Sequence, residues 1–336
     1  MDPGAAPDEV KTVEQEIERM GLRPFINPGV ERKVIAVLGE IDVRKADLVD
    51  HFAVLPGVSR VELISDLWKL ASRQYHSEDT VIEVGPVKIG GRAITIAAGP
   101  CSVESEPQIL EVAQAVKESG AQMLRGGAFK PRTSPYAFQG LGEEALKILA
   151  RAREESGLPI VTEVMDSYQV DLVCAYADVL QIGTRNMQNY ALLKRVGMCS
   201  KPVLLKRGLG SRVRDLLMSA EYIMSEGNPN VILCERGITT FEDSTRNTTD
   251  INAVPVLKQW THLPVMLDPS HATGDWKYVA AISRAAIAAG ADGLLVEVHN
   301  EPARARSDGP QSLKPGRFAE LMVQLRKVAS ALDRTL

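Results

Sequence analysis

From about Ala93 to the C-terminus, short apolar and β-branched runs alternate with stretches in which apolar residues recur at helical spacing. The runs Ala93–Ala98, Gln122–Gly126, Pro159–Val164, Asp178–Ile182, Pro202–Lys206, Val231–Cys234, Pro264–Asp268 and Gly293–Val298 read as strands buried on both faces. Between them, Pro107–Glu118, Gly142–Glu155, Arg212–Ser225, Lys277–Ala289 and Gly316–Leu332 read as amphipathic helices. This alternation is the signature of parallel βα units. Eight such strands with no dinucleotide glycine fingerprint predict a closed (β/α)8 TIM barrel, with an open doubly wound sheet as the structural alternative.

The first 75 or so positions follow another pattern. A charged helix near Asp8–Met20, a strand at Lys33–Leu38, a helix near Arg44–Phe52 and a strand at Ser59–Ile64 predict a small α+β unit. Thr80–Arg92, punctuated by Gly85-Pro86 and Gly90-Gly91, predicts a β-hairpin leading into the barrel. The division expected is residues 1–78 and 79–336.

Composition changes this picture little. The chain has 336 residues, 45% of them hydrophobic and 24% charged, with a net charge of -4, the profile of an ordinary globular protein and not of a nucleic-acid binder. No apolar run reaches the roughly 18 residues of a membrane span, and the opening MDPGAAPDEV lacks the features of a signal peptide, so the expected location is the cytoplasm. Four scattered cysteines, Cys101, Cys174, Cys199 and Cys234, do not form a disulfide framework.

Active sites of (β/α)8 barrels lie at the C-terminal ends of the strands. There Cys101 follows the first predicted strand and His271 the seventh, Glu297 ends the eighth, and Asp308 lies in the loop beyond. A thiolate, an imidazole and two carboxylates on one rim suit a divalent transition metal. Taken singly, Cys101 as a packed thiol and His271 as a structural histidine account for the same residues. A second group is basic: Arg125, Lys130, Arg132, Arg185, Lys206, Arg207 and Arg236. Any one of them reads as a solvated surface charge, but their convergence in a net-negative chain suggests substrates with several anionic groups. Gly126-Gly127 and Gly208 could admit phosphate oxygens to backbone N–H groups, or could be plain turn residues.

Seven motifs sharpen the reading: AGPCSVES at Ala98–Ser105, LRGGAFKPRTSPYAFQGLG at Leu124–Gly142, QIGTRNMQN at Gln181–Asn189, LLKRG at Leu204–Gly208, CERG at Cys234–Gly237, DPSHATG at Asp268–Gly274, and EVHNEP followed by SDGPQSL. In this order they resemble the type I-beta 3-deoxy-D-arabino-heptulosonate 7-phosphate (DAHP) synthases, from about Thr80 to the C-terminus. The resemblance implies condensation of phosphoenolpyruvate with erythrose 4-phosphate, the first step of the shikimate pathway. It implies a divalent metal ion (Mn2+, Zn2+, Fe2+ or Co2+) on Cys101, His271, Glu297 and Asp308. Arg125, Lys130, Arg185, Lys206 and Arg236 would hold phosphoenolpyruvate. Arg132, Thr133 and Ser134 would take the erythrose 4-phosphate phosphate, with Pro131 shaping their loop. Lys130 would transfer a proton and Glu163 position water, with His271 counted beside them as catalytic.

The KPRTS stretch Lys130–Ser134 differs from the Lys-Ala-Asn-Arg type sequence of the related octulosonate 8-phosphate synthases. The N-terminal unit resembles the ferredoxin-like regulatory domain of some DAHP synthases, where an aromatic amino acid inhibits. Its opening MDPGAAP cannot serve as the apolar strand with which those domains begin, so that strand is expected to be missing. A homo-oligomer, a tetramer by resemblance, is implied; a nucleic-acid or membrane partner is not.

Overall fold

Strands buried on both faces need helices outside them and a closed sheet around them, and the computed structural model of the chain has both. Residues 1–27, 33–39, 45–64, 66–132 and 134–336 are described. They divide into two compact units, Met1–Glu78 and Asp79–Leu336.

In the first unit, helix α1 (Pro7–Arg19) buries Val10, Val13 and Ile17 along one face. Strands β1 (Arg23–Asn27) and β2 (Val34–Leu38) pair antiparallel, with Arg23 opposite Leu38 and Asn27 opposite Val34. Helix α2 (Lys45–Ala53) adds Leu48 and Phe52 to a small core with Val13, Ile17 and Leu22. The expected strand at Ser59–Ile64 does not form: the segment runs without sheet pairing among the described residues, and only Val61 within it packs against the core. Strand β1 was not expected, because its sequence RPFIN opens with a charge and a proline. The predicted start of the second helix, Arg44, lies outside the described residues.

The second unit begins with the hairpin of β3 (Ile82–Val84) and β4 (Val87–Ile89). The barrel follows as β5 (Thr95–Gly99), α3 (Glu106–Ser119), β6 (Met123–Arg125), α4 (Glu143–Ser156), β7 (Ile160–Glu163) and α5 (Val170–Tyr176). It continues as β8 (Val179–Ile182), α6 (Tyr190–Gly197), β9 (Val203–Lys206), α7 (Val213–Met224), β10 (Val231–Glu235) and α8 (Ala253–Trp260). It ends as β11 (Val265–Leu267), the short α9 (Pro269–Thr273), α10 (Trp276–Ala288), β12 (Gly293–Glu297) and α11 (Pro315–Ala331). Strands β5 to β12 form a closed parallel barrel in chain order, and β12 pairs back onto β5. All eight predicted barrel strands are present.

The hairpin plugs the end of the barrel opposite the active-site rim. Its Ile82, Val84, Val87 and Ile89 join Ala97, Met123, Val161, Val179, Leu204, Ile232, Met266 and Leu295 in one buried cluster. The last residues of the chain close the same region, where Arg334 donates to the carbonyls of Gly91, Ala93 and Ala291 and Ile94 N–H donates to Thr335. With one end filled by apolar side chains, the other is left for polar ones.

Candidate active site and metal centre

At the C-terminal rim the strand ends project Arg125 from β6, Glu163 from β7, Lys206 from β9 and Glu297 from β12, all buried. A cleft of about 270 Å³ opens above them, near the lower bound of about 300 Å³ for small-molecule sites. Arg125, Lys130, Pro131, Arg132, Glu163, Arg185, Lys206, Arg236, His271 and Asp308 all line it.

Cys101 and Glu297 lie beside the cleft, and a ligand atom from each of Cys101, His271, Glu297 and Asp308 falls within 4.8 Å of all the others. The set mixes one soft thiol, one imidazole and two carboxylates, which suits a divalent transition metal. Local geometry prepares each donor. Asp268 caps α9, accepting from His271 N–H at 2.9 Å and from the ring Nδ1 at 2.7 Å. That leaves Nε2 aimed at the cluster, 3.4 Å from Glu297 Oε1, with its tautomer fixed by a carboxylate as in many metal centres. Burial lowers the His271 pKa despite the nearby Asp268 and Glu297 carboxylates. Burial, then the Glu297 charge, pushes the Cys101 thiol up to about 11, and its Sγ lies 3.1 Å from Asp308 Oδ2. Asp308 adopts left-handed backbone, φ 51°. Burial opposes its charge, yet His271, the Cys101 hydrogen bond, Arg246 and Lys130 hold its carboxyl well below the usual range.

The cations are placed differently from one another. Arg125 Nη1 donates to Glu297 Oε1 at 2.9 Å and to the Pro100 carbonyl at 2.8 Å. The Lys206 ammonium pairs with Asp268, both nearly fully buried. Lys130 Nζ donates to the Cys101 carbonyl at 3.2 Å. Burial works against its charge, but the Cys101 and Glu163 groups more than offset this and raise its pKa. Arg236 is buried with Nε and Nη1 lacking any hydrogen-bond partner, and burial lowers its pKa. Arg132 donates from Nε to the Phe138 carbonyl at 2.9 Å, while its buried Nη2 is likewise unpartnered. Unpaired buried guanidinium donors are costly and mark where an anion would sit.

Two expectations separate from the cleft. Arg207 is held by Glu235 at 2.9 Å and Asp250 at 2.7 Å and does not line it. Ser134 is exposed, its hydroxyl accepting from Tyr136 N–H at 3.3 Å, and is not a lining residue. Thr133 lies outside the described residues.

Sequence reasoning missed Gln181, Gly183, Thr184, Leu209, Arg246 and Asn247 in the cleft wall, and Asp268 behind it. Gly183 leaves room for its neighbour: a Cβ there would lie 2.0 Å from Glu163 Oε1, and the carboxylate would have to shift. The signal for Asp268 was present, since DPSH places a carboxylate three residues before the histidine at a helix start.

A barrel mouth that gathers this many cations over a group of metal donors defines an enzyme for small, multiply anionic substrates. The chain belongs to the DAHP synthetase I family, whose model matches residues 74–334, and the DAHP synthase ferredoxin-like domain matches residues 1–66. It is 47% identical over 332 residues to the phospho-2-dehydro-3-deoxyheptonate aldolase of Thermotoga maritima, covering 99% of this chain and 97% of that protein. The crystal structure of that aldolase, a DAHP synthase, superposes with a TM-score of 0.80 over the same shares. A truncated form of the Thermotoga enzyme matches 79% of this chain and 98% of its own, with a TM-score of 0.75. The 2-dehydro-3-deoxyphosphooctonate aldolase of Bradyrhizobium diazoefficiens is 34% identical, over 73% of this chain and 93% of that protein.

Proposed function

We infer that the chain joins phosphoenolpyruvate, erythrose 4-phosphate and water to give DAHP and inorganic phosphate. The observation that carries this reading is the cleft itself: Arg236 and Arg132 each bring buried, unpartnered guanidinium nitrogens to a wall that also carries Arg125, Lys130 and the metal-type donors His271 and Asp308. Unpartnered guanidinium donors from two different loops, after β6 and after β10, suit two phosphorylated substrates.

In this reading Arg236 takes the phosphoenolpyruvate phosphate, with Arg185, Lys206, Arg125 and Lys130 around the rest of that substrate. Arg132, beside Pro131, takes the phosphate of erythrose 4-phosphate. Cys101, His271, Glu297 and Asp308 would hold the divalent ion, which when bound supplies Lewis acidity toward the aldehyde oxygen. C3 of phosphoenolpyruvate attacks the aldehyde carbon, water adds at C2, and the resulting hemiketal phosphate expels phosphate to leave the ketone. Lys130, whose ammonium stays charged, gives its proton to the aldehyde oxygen as the new C–C bond forms. Glu163, whose Oε2 accepts from Gln181 Nε2 at 3.4 Å, orients the water and accepts its proton; the hemiketal hydroxyl proton leaves with the phosphate, and return of the proton from Glu163 to Lys130 restores both groups.

The octulosonate-type reaction is the competing one, since relatives named for it also match most of this chain. The Lys130–Ser134 sequence KPRTS favours the four-carbon sugar phosphate. Phosphate release from phosphoenolpyruvate, measured with erythrose 4-phosphate and with arabinose 5-phosphate in turn, decides: faster release with arabinose 5-phosphate overturns the reading.

The N-terminal unit is assigned regulation, because every proposed metal and substrate residue lies after residue 78. An aromatic amino acid is the proposed inhibitor, acting in a homo-oligomeric, cytoplasmic enzyme; among the described residues no helix is long and apolar enough to cross a membrane. Comparing the whole chain with one beginning at Asp79, each with and without tyrosine or phenylalanine, tests this assignment. Inhibition that survives truncation places the effector on the barrel instead.

A further inference from the structure

Glu297 and Asp308 come from different elements, a strand end and the loop after it, yet their carboxylates must meet at one point for the metal reading above to hold. Two side chains outside the donor set tie them together. Gln311 Nε2 donates to Glu297 Oε2 at 2.7 Å, and Gln311 Oε1 accepts from Arg246 Nη1 at 2.8 Å. The same Arg246 Nη1 donates to Asp308 Oδ1 at 3.2 Å. Arg125 already holds the other Glu297 oxygen, and Cys101 and Ser307 lie against the other Asp308 oxygen. Each carboxylate is thus gripped from both sides.

Chemistry dictates the order of this link. A side chain between a carboxylate and a guanidinium must donate at one end and accept at the other, which an amide does in a single orientation. A glutamate at 311 would set two carboxylates together, and an apolar residue would make neither bond. Gln311 is 2% exposed, so water is not a ready substitute. Arg246 is itself anchored: its backbone N–H donates to Thr273 O at 3.0 Å, and a Cβ at Gly274, φ 72°, would lie 2.4 Å from Arg246 Cβ.

We propose that Arg246 and Gln311 are positioning residues of the metal centre, fixing the Glu297 and Asp308 carboxylates in the spacing an ion requires. The proposal rests on the metal reading of Cys101, His271, Glu297 and Asp308, and it adds that affinity for the ion depends on two residues that do not touch it. Partners of metal ligands typically contribute about 10- to 100-fold in affinity.

The test is a Co2+ titration of the metal-stripped full chain, read by the thiolate charge-transfer and d–d bands. Gln311→Met should weaken Co2+ about 10- to 100-fold and shift the d–d bands, while the KM for both substrates at saturating metal stays at the wild-type value. Arg246→Lys, which keeps a charge but not the planar donor, should fall between wild type and Arg246→Met. The double variant should lose less than the product of the two single losses, since both act through Glu297. Wild-type Co2+ affinity and band positions in Gln311→Met overturn the positioning role alone; no Co2+ binding by the wild type overturns the metal reading beneath it. Should Gln311→Met fail to fold, Arg246→Met, on a half-exposed side chain, carries the Co2+ affinity and band comparison, without the KM readout because Arg246 lines the cleft.

Discussion

Asp268 accepts from the Lys206 ammonium, the His271 ring and the His271 backbone, and it is fully buried. Replacing it by asparagine keeps the shape and inverts half of the chemistry. The amide oxygen can still accept from His271 N–H, but an NH2 now stands where Oδ2 received two donors. Lys206 is then a buried cation with no partner, a defect of about 3–5 kcal/mol against a total stability of about 5–15 kcal/mol. The imidazole must also answer the change: Nδ1 becomes the acceptor and the proton moves to Nε2, 3.4 Å from Glu297 Oε1. A protonated Nε2 cannot bind a metal, so ion affinity should fall by at least about 10- to 100-fold, a further loss of roughly 1.4–2.7 kcal/mol when metal is present. Urea denaturation of Asp268→Asn with and without added Mn2+ separates the two effects. The first should appear in the metal-free protein, and the second as a smaller stabilisation by the ion. Metal-free stability within about 1 kcal/mol of wild type, together with unchanged ion affinity, would refute the reasoning.

Arg236→Met should raise the KM for phosphoenolpyruvate about 10- to 100-fold, matching about 1.5–3 kcal/mol for a charged hydrogen-bonding group, and should raise the thermal midpoint by removing an unpaired buried cation. Steady-state kinetics and a thermal scan check both; an unchanged KM removes Arg236 from the phosphate site. Gly183→Ala should displace Glu163, whose Oε1 would be 2.0 Å from the new Cβ, lowering kcat in a folded barrel; wild-type kcat would show that Glu163 has no part in turnover. Ion binding should release a proton from Cys101, whose thiol burial pushes up to about 11. Apparent metal affinity should therefore rise about tenfold per pH unit between about pH 7 and 9, and a pH-independent affinity over that range would remove the thiol from the donor set.

The barrel was legible because each strand is buried on both faces, so its residues form a short, mostly apolar run that no surface helix produces, with polar residues such as Arg125, Glu163 and Lys206 at the strand ends. Helices α5, α6 and α8 were not, since seven or eight residues give barely two turns for a period to show, and α8 carries Pro255 in its first turn. The false strand at Ser59–Ile64 has strand-like residues but no described partner, which pattern alone does not reveal. Donors and cations at strand ends were readable from position. Arg246 and Gln311 were not, because their importance lies in whom they hold, and that is fixed only when two loops distant in sequence come together.

Barrel closure has a consequence for how this chain folds. Strand β12 pairs with β5 from Gly293 opposite Thr95 to Glu297 opposite Gly99, positions roughly two hundred residues apart, and contacts so remote in sequence form late. Until β12 arrives, β5 presents an open parallel edge, and the growing sheet is apolar on both faces, the condition in which nascent chains associate. Cys101 follows β5 and Glu297 ends β12, so the four-donor group straddles that seam. An ion bound there would join the first strand of the barrel to the last, and its effect should be larger on the rate at which the closed barrel opens than on the rate at which it forms.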